Sequence, residues 1–243
     1  MAGRIDTHLI CGGRFHDFDF ARLELLKLLA EHEEIRVRVA GDYRDVDAIA
    51  ESQMLVTYTC DVRPSQAEQE ALAAFVAGGG RWLALHGTNA MLDMGPEGVA
   101  APRGYDTLME TLGSQFIAHP PIQPYTVEVA DASHPLVAGI DAFEADDELY
   151  LSEYHGELHA LLETHWSGEA PGFIEGDWSA SDRHLVAYLK GNVYYLTLGH
   201  CRGHYDMQPI VDFYPVIERG AWEQPAYYEL LRRGIRWAKG ELG

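Results

Sequence analysis

Three apolar runs in this chain end on groups that can carry a proton or hold a metal ion. His8-Leu9-Ile10-Cys11 leads through Gly12-Gly13 to His16 and Asp17, Trp82 to Leu85 ends on His86, and Val193 to Leu198 ends on Gly199-His200. Asp147-Glu148 precedes apolar Leu149-Tyr150 and adds carboxylates. Imidazole and carboxylate together suit general acid–base chemistry or a divalent metal such as zinc. His86, His200 and Glu148 are therefore the candidate catalytic groups, with His86 and His200 the candidate metal ligands. His16, Asp17, His119 (closing Phe116-Ile117-Ala118) and Tyr205 are candidate substrate contacts. The competing reading is plain: a histidine at a strand end is often an ordinary hydrogen-bonded side chain, and Asp146-Asp147-Glu148 reads equally as a solvated acidic cluster.

Other histidines carry weaker signals. Proline after His134 says mainly that the backbone is extended there. His155/His159 and His200/His204 are spaced four apart, one helical face, but the glutamate of a zinc-protease helix is misplaced or missing. Trp166, Trp178 and Tyr205 could stack on a sugar ring, although core packing is the common fate of tryptophan.

The elements that must position these groups follow from periodicity. His8–Cys11 reads as a first strand, and Phe20, Leu23, Leu25, Leu26, Leu28 and Leu29 as an amphipathic helix. Strands over 35–40 and 53–60, a helix opened by Pro64-Ser65 and stopped by Gly78-Gly79-Gly80, and the strand ending at His86 complete a βαβ series. Such alternation predicts a parallel sheet with right-handed crossovers and helices on both faces. Ligands of open α/β sheets bind beyond the carboxyl ends of the strands, so His16, His86 and His200 are expected to share one pocket. Tyr125–Val129 alternates as a half-solvated strand, and 184–189 with 193–198 reads as a hairpin around Lys190-Gly191-Asn192. Glu229–Ala238 closes the chain as a helix. Two long irregular segments, 88–122 (with a helical piece at 105–112) and 201–225, are expected to wall the pocket.

With 243 residues, 47% of them hydrophobic, the chain is expected to form one domain over 1–243. A net charge of −20, from 18 basic and 38 acidic residues, argues against nucleic acid and anionic membranes. No apolar run approaches the roughly 20 residues of a membrane span, and the polar start lacks a signal-peptide layout; a cytoplasmic location is expected. Three cysteines without CxxC spacing suggest neither a disulfide framework nor a zinc ribbon. GxGxxG is absent, so no nicotinamide cofactor held in the Rossmann manner is expected. Self-association into a homo-oligomer stays open.

Taken in order, Ala77-Gly-Gly-Gly-Arg-Trp-Leu-Ala-Leu-His86, Phe116-Ile-Ala-His-Pro120, Tyr125–Val129 with His134-Pro135, Asp147-Glu-Leu-Tyr150, Leu198-Gly-His200 and Arg233-Gly-Ile-Arg-Trp-Ala238 resemble the trehalose-utilisation (ThuA-like) family. The resemblance implies a flavodoxin-like, class I glutamine amidotransferase-like α/β fold with irregular insertions, and a role in carbohydrate metabolism. It also places Leu83–Thr88 at the strand-turn-helix elbow where amidotransferases carry a cysteine. His86 stands there instead, and imidazole cannot replace a thiolate in forming a thioester. No carboxylate follows His200 at the usual spacing; Arg202 does. The expected function is action on a sugar or keto-sugar through a histidine-based, metal-assisted site. The alternatives are a non-catalytic sugar-binding or regulatory module and a cysteine hydrolase using Cys60 or Cys201.

Overall fold

The structure, a computed structural model, describes residues 3–174, 176 and 181–242. Trp178 lies outside the described residues. The first half alternates as periodicity predicts: β1 (Ile5–Gly13), α1 (Phe18–Leu29), β2 (Ile35–Ala40), α2 (Val46–Glu51), β3 (Met54–Cys60), α3 (Gln66–Ala77) and β4 (Arg81–Leu85). Side chains start these helices. Asp17 Oδ1 accepts the Phe20 amide at the head of α1, and Ser65 with Glu68 forms a reciprocal capping box on α3. Helix α2, six residues capped by Asp45, is too short to show a periodic stripe in the sequence.

The second half comprises β5 (Asp93–Gly95), β6 (Gly98–Ala100), α4 (Asp106–Leu112), β7 (Ser114–Ala118), β8 (Gln123–Val129), β9 (Phe143–Asp147), β10 (Leu151–Tyr154), β11 (His159–His165), β12 (Arg183–Lys190), β13 (Val193–Leu196) and α5 (Pro225–Ala238). The 88–122 segment is thus less irregular than its glycines and prolines suggest: β5 and β6 form a small hairpin, and β7 pairs antiparallel with β10.

The main sheet runs β2-β1-β3-β4-β13-β12-β11-β8-β9. Its first five strands are parallel, and only β12 and β8 run against the rest. Strand β8 joins β11 at just two residue pairs, and Asp147 at the end of β9 accepts the Gly199 and His200 amides beyond β13. Alternate side chains sort to opposite faces, as a pleat requires. Leu9, Val56, Leu83 and Leu85 pack with α1 and α5; Ile10, Leu55, Trp82 and Ala84 pack with α2, α3 and α4. On α5, Leu230, Leu231 and Ile235 are buried, each burial worth about 1.5–3 kcal/mol. Gly234 brings that helix against Leu83 and Tyr194, where an added Cβ would sit 3.0 Å from both. Among the described residues no helix is long and apolar enough to cross a membrane.

Candidate metal and ligand-binding site

Strand β4 ends in an abrupt turn. His86 takes φ +45°, a left-handed conformation that costs a residue with a Cβ roughly 1–2 kcal/mol. The next position has to be glycine: a Cβ on Gly87 would lie 2.6 Å from the Thr59 carbonyl oxygen and 2.9 Å from Cys60 Cβ. Surrounding hydrogen bonds hold the turn. His86 Nδ1–H donates to the Thr197 carbonyl at 2.8 Å, Tyr195 O–H donates to the His86 carbonyl at 2.6 Å, and the Asn89 amide donates back to the Tyr195 oxygen at 2.9 Å. The elbow expected at Leu83–Thr88 is formed, with an imidazole at its apex.

Strands β1, β4 and β13 point the same way, and His16, His86 and His200 follow their carboxyl ends. Glu148 follows β9. Ligand atoms of these four buried residues all lie within 4.8 Å of one another. Glu148 Oε2 is 3.7 Å from His16 Nε2, 3.5 Å from His86 Nε2 and 3.6 Å from His200 Nδ1. Each imidazole's other nitrogen is already engaged. His86 Nδ1–H is on Thr197, His16 Nδ1 faces the Arg14 carbonyl at 3.3 Å, and His200 Nε2–H donates to Glu218 Oε2 at 2.7 Å. Outer partners of this kind orient metal-binding histidines.

Two observations leave nitrogen lone pairs available at the centre of this cluster. His16 Nε2 and His86 Nε2 are 2.9 Å apart, so either one carries the ring proton and donates to the other, or both lone pairs face a bound cation. His200 Nδ1 is buried and has no hydrogen-bond partner among the described residues. Three imidazoles and one carboxylate form a donor set suited to zinc or a similar divalent ion.

Electrostatics divides the histidines. Burial drives His16 down to about 3, with the neighbouring His86 and His200 adding to the effect. Burial also opposes the charged form of His200, but the Glu148 charge 3.6 Å from Nδ1, together with the hydrogen bond to Glu218, outweighs it and raises His200 to about 9. Glu148 is likewise held well below the usual carboxylate range: its burial is overcome by His119 and His200.

Asp147 ties the cluster to the backbone. Fully buried, it accepts the amides of Glu148, Gly199, His200 and Ala221 at 2.7–3.1 Å. One carboxylate thus joins the end of β9 to the turn carrying His200 and to the 220–223 turn beyond Glu218. Glu218 is the residue that sequence spacing misses. It comes from the 201–225 segment and receives hydrogen bonds from His200, Arg202 Nη1 (2.9 Å) and Tyr214 O–H (2.8 Å), so a carboxylate does meet His200 although none follows it at the expected spacing.

A cleft opens over His16 and Glu148; His86 and His200, expected to share a pocket with His16, join the same cluster but do not line this cleft. Both irregular segments wall it, 88–122 through Ala90, Leu92, Met94, Val99, Phe116 and His119, and 201–225 through Arg202 and Met207. His119 Nε2 lies 3.1 Å from Glu148 Oε1, and its Nδ1–H donates to the Pro120 carbonyl at 2.8 Å. Asp17 is not on the cleft. Its carboxylate is committed to capping α1 and to Arg219 at 3.1 Å. Tyr205 also stands off the cleft, 64% exposed and packed on Phe213. Cys60 lines the cleft, but burial raises its thiol well above the usual range, and burial raises Cys201 to about 12. Neither thiol is set up as a nucleophile.

Comparison with known proteins bears on fold and family. A ThuA-like protein from Parabacteroides merdae superposes with a TM-score of 0.64 at 18% identity, covering 98% of this chain and 91% of that one. One from Bacteroides uniformis gives 0.65 at 18% identity, with 98% and 92% covered. A glutamine amidotransferase from Thermotoga maritima gives 0.52 at 9% identity, with 98% and 99% covered, which places the chain in the amidotransferase-like, flavodoxin-like fold class. No curated protein matches the sequence. The ThuA (trehalose utilisation) family model matches residues 12–221, and the chain belongs to that family.

Proposed function

We propose that this protein is a carbohydrate-processing enzyme that binds a divalent metal ion through His16, His86, His200 and Glu148 and acts on a sugar or keto-sugar in the adjoining cleft. The observation that carries the proposal is the convergence of three imidazole nitrogens and one carboxylate oxygen within 4.8 Å, from four points scattered along the chain. Family membership supports a carbohydrate-related role. A bound divalent ion supplies Lewis acidity, which polarises a carbonyl oxygen or lowers the pKa of water.

The protein's own groups do the rest. Glu148 presents Oε2 to the three imidazoles and Oε1 to His119 and, at 3.8 Å, to Arg202. His119, a quarter exposed at its side chain, lies between that carboxylate and the cleft and can pass a proton between them. The Tyr150 hydroxyl, 3.4 Å from His86 Nε2, can orient a ligand oxygen. These groups suit hydrolysis, isomerisation or elimination next to a carbonyl.

The test is metal analysis of protein purified without added ions, followed by NMR-monitored incubation of depleted and reloaded protein with trehalose and its mono-keto form. Near-stoichiometric metal, and consumption of the keto-sugar by reloaded protein alone, are expected. Protein that takes up no divalent ion, or that is equally active when depleted, overturns the proposal.

A further inference from the structure

Two unlike groups of side chains line the cleft over the cluster. At its polar inner end His16, His119 and Arg202 crowd around Glu148, with the Tyr150 hydroxyl close to His86. The rest of the wall is mainly apolar, with Phe15, Leu92, Met94, Phe116, Phe173 and Met207, and Phe173 reaches back to the His119 ring. The rings pack on one another, Phe116 against Phe173 at 5.7 Å and Phe173 against His119 at 4.8 Å between centroids. Phe15 and Phe116 are nearly fully buried.

The backbone of this wall has little to offer a hydroxyl either. Ala90 donates to Gly87 and accepts from Asp61; Leu92 donates to Asp61 Oδ1 and accepts from Arg63. Val99 donates to Gly172 and accepts from Ile174, the Phe15 carbonyl takes Arg202 Nε, and the Phe173 amide is on Ala170. Arg202 is further committed to Glu218. A second sugar ring, with a hydroxyl on nearly every carbon, would be stripped of water here without partners in return, and buried hydroxyls without hydrogen bonds are costly. An apolar group of the same size loses nothing and gains the hydrophobic contact.

We propose that the preferred ligand of this cleft is a keto-sugar bearing an apolar, aromatic-sized substituent, a glycoside of an aromatic alcohol, which it takes ahead of a keto-disaccharide. The inference rests on the function proposed above: the sugar oxygens meet the polar inner end and the metal ion, and the substituent lies against Phe116, Phe173 and Met207.

Rapid-mixing titration of the metal-loaded full-length chain, followed by protein fluorescence before turnover, with the mono-keto forms of phenyl glucopyranoside and of trehalose tests it. The phenyl compound is expected to bind at least tenfold more tightly. Phe173→Ala is expected to bring the ratio close to one with metal content unchanged, and Met207→Ser provides the same test should Phe173→Ala fail to fold. Equal affinities, tighter binding of keto-trehalose, or a preference that survives both substitutions overturns the inference and leaves the proposed function standing. Failure of the loaded protein to bind either keto compound overturns both.

Discussion

His86 is fully buried, so its truncation reaches both the site and the fold. His86→Ala is expected to abolish metal retention, measured by elemental analysis, and to leave the Thr197 carbonyl unpaired. That loss costs about 1–3 kcal/mol, seen as a melting temperature lower by several degrees; unchanged metal content would exclude His86 as a ligand. His200 makes a separate prediction. Its pKa in the folded protein, about 9, exceeds the ordinary value of 6.5, so its interactions stabilise the metal-free fold fully below about pH 6.5 and lose that effect as pH rises through 9. His16 has the opposite sign. Held near 3, it withdraws stability as pH falls below 6.5, because the unfolded chain then takes up a proton that the fold refuses. A metal ion needs the neutral imidazole, so at pH 8 its binding must expel the His200 proton. Calorimetry in buffers of different ionisation enthalpy is expected to show about one proton released from this residue per ion, with apparent affinity rising up to about pH 9; binding without proton release would contradict the charge assigned to His200. Of the residues gathered here, His86 and His200 are legible in the sequence because each ends an apolar strand run, His16 because it follows the glycine turn after the first strand, and Glu148 because an acidic pair stands directly before apolar Leu149-Tyr150. Glu218 is not, since its place beside His200 depends on how an aperiodic segment returns.

At the scale of elements, the site depends on joints more than on ligands. Asp147 touches no part of the cleft, yet its carboxylate gathers four backbone amides from three segments. Asp147→Ala is expected to cost at least about 3 kcal/mol, since hydrogen bonds to a charged group are worth roughly 1.5–3 kcal/mol each. It should also weaken metal binding by moving Glu148, His200 and Glu218 together. Denaturant unfolding and metal titration of the same variant check this; lost stability with unaltered metal affinity would make Asp147 a purely structural clamp. The βαβ half is readable because long periodic helices and capped starts announce it: Ser65 with Glu68, and the buried run 82–85, each specify a single local structure. Strand β8 is announced by the alternation over Tyr125–Val129, whereas β9 and the small strands β5, β6 and β10 are set by tertiary pairing. Strand β9, Phe-Glu-Ala-Asp-Asp, holds three carboxylates in five residues, a composition disfavoured in strands. Only the amides waiting at Gly199, His200 and Ala221 explain why Asp147 is buried there.

For the molecule as a whole, positions 16, 86, 148 and 200 span most of the chain, and only the complete fold brings them together. The unfolded chain has isolated histidines and carboxylates at these positions and no preformed site, so a divalent ion binds the native state almost exclusively. Binding then stabilises the fold by RT ln(1 + [L]/Kd), about 2.7 kcal/mol at a free ion concentration one hundred times Kd. For a chain of 150–250 residues each kcal/mol moves the midpoint by roughly 2–4 °C, so zinc, or whichever divalent ion the site prefers, is expected to raise the melting temperature by about 5–11 °C. A chelator should reverse the shift. Exposed acidic groups are abundant on a chain of net charge −20 and could bind ions weakly, so His86→Ala serves as the control: it keeps the surface charge and lacks the central ligand. A shift seen in the native protein and absent from the variant locates the effect at the cluster. A shift of the same size in both, or none with zinc, manganese, cobalt or nickel, would mean that the four residues form a hydrogen-bonded cluster that the fold holds together without an ion.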